Sequence, residues 1–503
     1  MNARTHQPRL WPASRAFWVI AIALACIRLL LAALTPLIPD EAYYWDWTRF
    51  LSAGYYDHPP MVAWIAAPAI ALFGDTRFGV HAGPLLCTVA AWFLTVWAGG
   101  LYWRHKSSAP LTLIMLNGTA LWGLTYYMLT PDAAQGLFWA AALVCGYYAL
   151  FVKPTTGVWS LLGAIIGLGL LSKYTFALFG ISIAAFLLVD RRARQLLRRP
   201  PPWAALLACL AVFSPNLLWN AYHDWTAIGF QLGHGLAGKG GVRFDYFGEY
   251  WAGQAGLLGL FLFVVVIMAS VRLVREGWHD SRLRYLFFMY AIPWGFFGLT
   301  SLVKRVEANW PGPAHIAAFI AVAWYIERLR ADGARRRLAF SLVSIGVAAL
   351  LIGAILFHVV APVLPAPPAI DMTLQARGWD RLGRDVDAAI ARSGGHDFPV
   401  CANRYQETAM LAFHMPGNPR TWSLNLASRS NHYALLDGRA EAIDDSIYFV
   451  GKLRDTALSP HVAQRFAWIE RIDTLYLHQA PGRRRPFGLF IGRLTPAAYR
   501  DSP

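Results

Sequence analysis

Apolar runs of about 20 residues, the length at which a helix crosses the hydrocarbon of a bilayer, recur along most of this chain. They fall at residues 16–38, 79–103, 110–130, 133–152, 156–172, 174–190, 203–221, 253–274, 284–303, 311–328 and 337–361. A chain built this way is expected to be a polytopic α-helical membrane protein with about eleven transmembrane helices. Met61–Gly74 is apolar but short, follows Pro59 and Pro60 and contains Pro68, so an interfacial helix is expected there. The first run has no small-residue cleavage signal after it and reads as a retained helix.

The basic residues test the topology. With the N-terminus inside, Arg104–Lys106, Lys153, Arg191–Arg199, Arg272–Arg275 and Arg328–Arg337 all fall in inner loops, as the positive-inside rule requires. That distribution accounts for the net charge of +16, and no nucleic-acid partner is expected. The same count turns Pro39–Phe78, the Thr130-Pro131-Asp132 turn, Ser172-Lys173, Tyr222–Ala252 and Val303–Pro313 outward. The loops that carry unusual chemistry therefore share one side.

The expected membrane domain covers residues 1–362, with an outward first loop at 39–78. Residues 363–370 lie in the stretch "APVLPAPPAI", a Pro-rich linker that cannot continue a helix. Residues 371–503 read as a soluble α/β domain, placed outside by the odd number of spans. "FPVCA", "SIYFVG", "TLYLH" and "FGLFIG" are expected strands, and "GWDRLGRDVDAAIARSG" an amphipathic helix. Cys26, Cys87, Cys145 and Cys209 lie in apolar runs and Cys401 beyond them, so neither a disulfide framework nor a CxxC site follows.

Asp40-Glu41 stands at the exit of the first run, where a lipid head group would lie. A carboxylate there can take a proton from an attacking hydroxyl or order a cation, and a solvated acidic loop is the plain alternative. Tyr43, Tyr44, Trp45, Trp47, Tyr55 and Tyr56 suit an interfacial belt or a pocket whose rings stack on a sugar or polyprenyl chain. Asp57 and His58 are adjacent, and with Tyr55 and Tyr56 they are candidate substrate or metal contacts. His223 and His234, in another outward loop, could complete a site for a divalent metal with Asp57 or Glu249, although the spacing carries no zinc signature. Asp132 and Lys173 interrupt apolar hairpins at the membrane boundary, where charge is costly. Lys173, Lys304 and Arg305 suit a phosphate partner.

The motifs "GYYDHPP", "TPDA", "GLLSKYT", "SPNLLWN…HDW", "RVEANWP" and "NRYQE" follow the Asp-Glu pair in order. In this the chain resembles the GT-C glycosyltransferases, and within them the bacterial lipid A aminoarabinose transferases and the protein O-mannosyltransferase superfamily. The resemblance implies a bacterial inner-membrane enzyme with a periplasmic C-terminal domain. It implies transfer, with inversion, from a polyprenyl-phosphate-linked sugar to a lipid, glycan or protein acceptor. It also places the essential first-loop acid at Asp40 beside Glu41, a second acid at Asp132 and a phosphate contact at Lys173. One departure is visible: Asp57-His58-Pro59-Pro60 stands where the aminoarabinose transferases resemble Glu-Lys-Pro-Pro. A transporter or lipid flippase is the rival expectation, but it would place charges near mid-span and show internal repeats.

Overall fold

The computed structural model describes residues 14–103, 105–236, 241–362, 371–426, 430–436, 445–454 and 456–496; the expected linker 363–370 lies outside them. The chain divides into two compact units. The first comprises Met1–Leu34, His58–Ala69 and His81–Pro362, and the second Thr35–Asp57, Ile70–Val80 and Val363–Pro503.

The first unit is helical, and each expected span contains a helix. Among the described residues five helices are long and apolar enough to cross a membrane: Arg15–Leu34, Arg77–Gly100, Pro131–Val152, Pro200–Tyr222 and Arg335–Val360. A sixth span results if Phe244–Leu258 and Leu260–Gly277 count as one, bent by 102°. That bend corrects the expectation of a straight helix over 253–274. Gly259, at φ 83°, takes a backbone conformation closed to most side chains, and the helix stops and restarts there. Thr156–Ser172 and the helix from Tyr174 to Val189 are shorter.

Between apolar helices in lipid, close backbone approach supplies the adhesion that water would otherwise drive. Gly163 and Gly167, four apart on Thr156–Ser172, lie against Pro200–Tyr222. A Cβ on Gly163 would overlap the Ala205 carbonyl, and one on Gly167 would come within 2.8 Å of the Val212 Cβ. Arg28 is sealed inside the unit at 2% exposure. Its guanidinium donates to Asn117 Oδ1 at 3.0 Å and to the Gly123 carbonyl, within the π-helical turn Leu121–Thr125. A buried cation has to be hydrogen-bonded, and here the irregular turn supplies the acceptors.

The second unit is α/β. Its strands are β1 (Val400–Ala402), β2 (Thr421–Ser423), β3 (Ile447–Lys452), β4 (Phe466–Ala480) and β5 (Arg483–Leu494), in the order β2-β1-β3-β5-β4. β1 pairs in parallel with β2 and β3, whereas β3–β5 and β4–β5 are antiparallel. Gly482, at φ 70°, turns the β4–β5 hairpin. The helix Trp379–Arg392 lies on β4 and buries Leu382, Val386 and Ile390 at helical spacing. Each such side chain contributes roughly 1.5–3 kcal/mol by burial. Gly383 lets this helix meet the end of Tyr405–His414, where a Cβ would stand 2.5 Å from the His414 carbonyl oxygen.

Candidate active site

The stretch expected as a loop after the first span is a helix, Pro39–Trp47. Pro39 opens it, its fixed φ being suited to a first helical position. The Glu41 carboxylate reaches back to accept the Ile38 N–H at 3.0 Å. This is half of a capping box, since Ile38 has no polar side chain to complete it. Glu41 is fully buried, whereas Asp40, one residue before it, is exposed. Of the adjacent acids, one is spent on holding the helix start and the other faces outward.

The aromatic residues that follow form an interior. Tyr43, Tyr44, Trp45, Trp47 and Tyr55 are all buried, and the helix packs on Tyr405–His414. Trp47 stacks on Tyr55 at 4.1 Å, and Tyr43 meets Tyr405 at 4.5 Å. The Tyr55 hydroxyl donates to the Trp47 and Phe50 carbonyls, so its ring and its oxygen are both committed within the fold. Tyr43 donates to Asp57 at 2.5 Å and accepts the His432 N–H at 2.8 Å. Tyr433 donates to Asp46 at 2.7 Å. Burial, and then the Asp57 carboxylate, raise the Tyr43 phenol well above its ordinary range, so it stays a neutral donor. Trp45 Nε1 donates to Asp75 at 2.7 Å, which ties in residues 70–80.

Asp40 lies on the wall of a cavity of about 480 Å³ that also touches Arg404, Glu407, Lys452, Arg483 and Arg485. The Tyr405 hydroxyl approaches Asp40 Oδ1 at 3.4 Å. Lys452 is paired with the buried Glu407 at 2.6 Å. The segment "NRYQE" thus brings Tyr405 to Asp40 and Glu407 to Lys452.

His414 ends the helix Tyr405–His414, and burial pushes its imidazole down to about 4 from the ordinary 6.5. The unfolded chain therefore takes up a proton between those values that the folded one refuses. Stability contributed above pH 6.5 should be lost as pH falls towards 4. Thermal unfolding of parent and His414→Gln chains across that window checks this: the variant should lose the slope of up to one proton. An unchanged slope would contradict the assignment.

In the first unit, Asp132 stands in the opening turn of Pro131–Tyr147, and Lys173 follows Thr156–Ser172. The two were expected as an acid and a phosphate ligand. They form one ion pair, Lys173 Nζ to Asp132 Oδ1 at 2.8 Å, with both side chains 11% exposed. Around it lie Gln135, which donates to Thr175, and Tyr174, which donates to Asn216 at 3.0 Å and accepts from Asn220 at 3.2 Å. The motif "SPNLLWN" supplies both asparagines. Met61 begins its helix against Ala134, Leu171 and Phe213.

The remaining candidates are dispersed. His58 Nδ1 lies 3.5 Å from Gln231 Nε2. His223 stacks on Trp219 and shares a hydrogen with its carbonyl at 2.8 Å. Lys304 donates to the Gly233 carbonyl, and Arg305 pairs with Glu249 at 3.1 Å on the exposed surface. Tyr56 is partly buried. The His234 side chain lies outside the described residues. Among the described residues no three His, Cys, Asp or Glu side chains converge to hold a metal.

A bundle of apolar helices with a buried charge pair at their ends, joined in sequence to an α/β unit, is the build of a multi-span membrane protein that carries an extra domain. Its structure superposes on ArnT from Cupriavidus metallidurans bound to undecaprenyl phosphate with a TM-score of 0.64, over 95% of this chain and 98% of that one, at 15% identity. An archaeal oligosaccharyltransferase from Archaeoglobus fulgidus gives 0.52 over 86% of this chain and 68% of its own, at 12% identity. A family profile described as dolichyl-phosphate-mannose-protein mannosyltransferase matches residues 57–219. The lipid A galacturonosyltransferase RgtD of Rhizobium johnstonii is 28% identical over 410 residues, which is 78% of this chain and 81% of that protein. The undecaprenyl phosphate-alpha-4-amino-4-deoxy-L-arabinose arabinosyl transferase of Yersinia pestis is 28% identical over 218 residues, covering 37% of this chain and 38% of its own. The chain shares the GT-C-type fold of these structures, and its similarity to a named glycosyltransferase runs along most of its length. The transporter alternative gains no support from these matches.

Proposed function

We propose that the chain takes a sugar from a polyprenyl-phosphate carrier and places it, with inversion, on a lipid A-type acceptor at the outer face of a bacterial inner membrane. The observation that carries this reading is the exposed Asp40 carboxylate, held on a rigid helix over a cavity rich in arginine. Asp40 would accept the proton of the attacking acceptor group as the sugar–phosphate bond breaks. A lipid phosphate is already a good leaving group, so what remains is alignment and neutralisation of its charge. Lys173 spends one of its three N–H donors on Asp132, and the others can meet the phosphate. The Asp132 pairing holds that ammonium at the helix ends, whereas Arg305 would serve only from the surface. The likeness to the lipid A galacturonosyltransferase RgtD supports a lipid A acceptor, and the likeness to the arabinosyl transferases supports an undecaprenyl-phosphate carrier. About eleven spans, an inner N-terminus and an outer C-terminal domain at 371–503 belong to the same reading.

Mass analysis of envelope glycolipids from cells with and without the gene tests it. A glycolipid lighter by one sugar residue is expected when the gene is removed. Identical glycolipid profiles would overturn the assignment.

A further inference from the structure

The cavity beside Asp40 carries more positive charge than its own carboxylates neutralise. Lys452 is paired with Glu407, and the Asp371 side chain caps the backbone N–H of Thr373 at 3.0 Å. Arg404, Arg483 and Arg485 also line this space, and among the described residues none of the three makes an ion pair. The strand pleat explains how β5 supplies two of them. Residues 483 and 485 share one face of the strand, and Arg484 takes the other, where it lies over the Tyr476 ring at 4.3 Å. The sequence "GRRRP" is thus divided: its outer two arginines line the cavity, and its middle one is spent on an aromatic ring.

Guanidinium groups in such an arrangement match the oxygens of a phosphate monoester, each offering a two-pronged donor. The cavity, of about 480 Å³, is roomy enough for a saccharide as well as its phosphate. We infer that this cavity is the acceptor's phosphate subsite: Arg404, Arg483 and Arg485 bind a phosphate monoester carried on the acceptor saccharide and so present the saccharide to Asp40. The inference rests on the glycosyl-transfer reading for the word acceptor. The site itself rests on the cavity and its arginines. The carrier's own phosphate shares this chemistry, and the experiment separates the two.

Full-length chain in nanodiscs would be titrated with glucosamine 1-phosphate and with glucosamine, followed by saturation-transfer NMR, which needs no turnover. The phosphorylated sugar is expected to bind and the plain one to bind at least about 10-fold more weakly, the range of a lost charge-assisted contact. The double variant R483Q/R485Q should weaken phosphosugar binding by about 10–100-fold with its melting temperature unchanged. Arg484→Gln should leave it within about 2-fold, because that side chain faces Tyr476. Equal binding of both sugars, unchanged binding in R483Q/R485Q, or an equal loss in Arg484→Gln would overturn the subsite. Displacement of the phosphosugar by undecaprenyl phosphate would assign the cavity to the carrier and overturn the acceptor assignment. Independent binding of the two supports it. If the parent chain binds the phosphosugar in this pattern yet transfers no sugar, the functional reading falls and the anion site stands.

Discussion

Asp40→Asn is expected to lower sugar transfer by about 100- to 10,000-fold, the contribution of a positioned general base, while the chain folds and inserts normally. The side chain is exposed, and the helix start does not depend on it: Pro39 and the Glu41 bond to Ile38 fix that end. Asparagine keeps the shape and loses the ability to take a proton. Glu41→Ala provides the contrast, because Glu41 is buried and its carboxylate caps the helix. It should cost about 0.5–2 kcal/mol of stability, as lost helix caps do, and leave transfer in the folded fraction largely intact. Rates normalised to folded protein, with melting curves for each variant, separate the two acids. Full activity in Asp40→Asn would remove the base assignment.

Lys173→Met is expected to act on both stability and donor binding. Removing the ammonium leaves Asp132 buried without its partner, and breaking such a pair costs roughly 3–5 kcal/mol. The double variant Lys173→Met, Asp132→Asn removes the stranded charge and should recover most of that loss. Donor affinity should not recover: with the phosphate contact gone, the apparent donor constant should stay raised by about 10–100-fold. A double variant that regains both stability and donor affinity would show that the pair only holds the fold together.

These two sites differ in how far they could be read from sequence. Asp132 and Lys173 each stand out as charges at the ends of apolar runs, but their pairing spans 41 positions and depends on how two helices meet. Gly163 and Gly167 set a neighbouring helix contact through backbone approach, which no hydrophobic pattern reveals. Arg28 falls in the middle of the first expected span, and its use appears only with the π-helical turn that offers it carbonyls. In the second unit the four expected strands and the helix Trp379–Arg392 are present, because alternation and amphipathic spacing are local signals. The tyrosines after Asp40 were legible as a cluster but not as a core. Their partners, Tyr405, His432 and Tyr433, lie far along the chain, and aromatic residues near a membrane boundary have an equally good use as an interfacial belt.

The central claim is transfer from a polyprenyl-phosphate-linked sugar. Its most direct test is the purified chain in nanodiscs, given a lipid A-type glycolipid and a sugar on undecaprenyl phosphate, with products read by mass spectrometry. The account predicts an acceptor heavier by one sugar residue, released undecaprenyl phosphate in equal amount, and both products lowered by about 100- to 10,000-fold with Asp40→Asn. Sugar transferred equally well from a nucleotide-linked donor, or no transfer from a panel of polyprenyl-phosphate sugars, would contradict it.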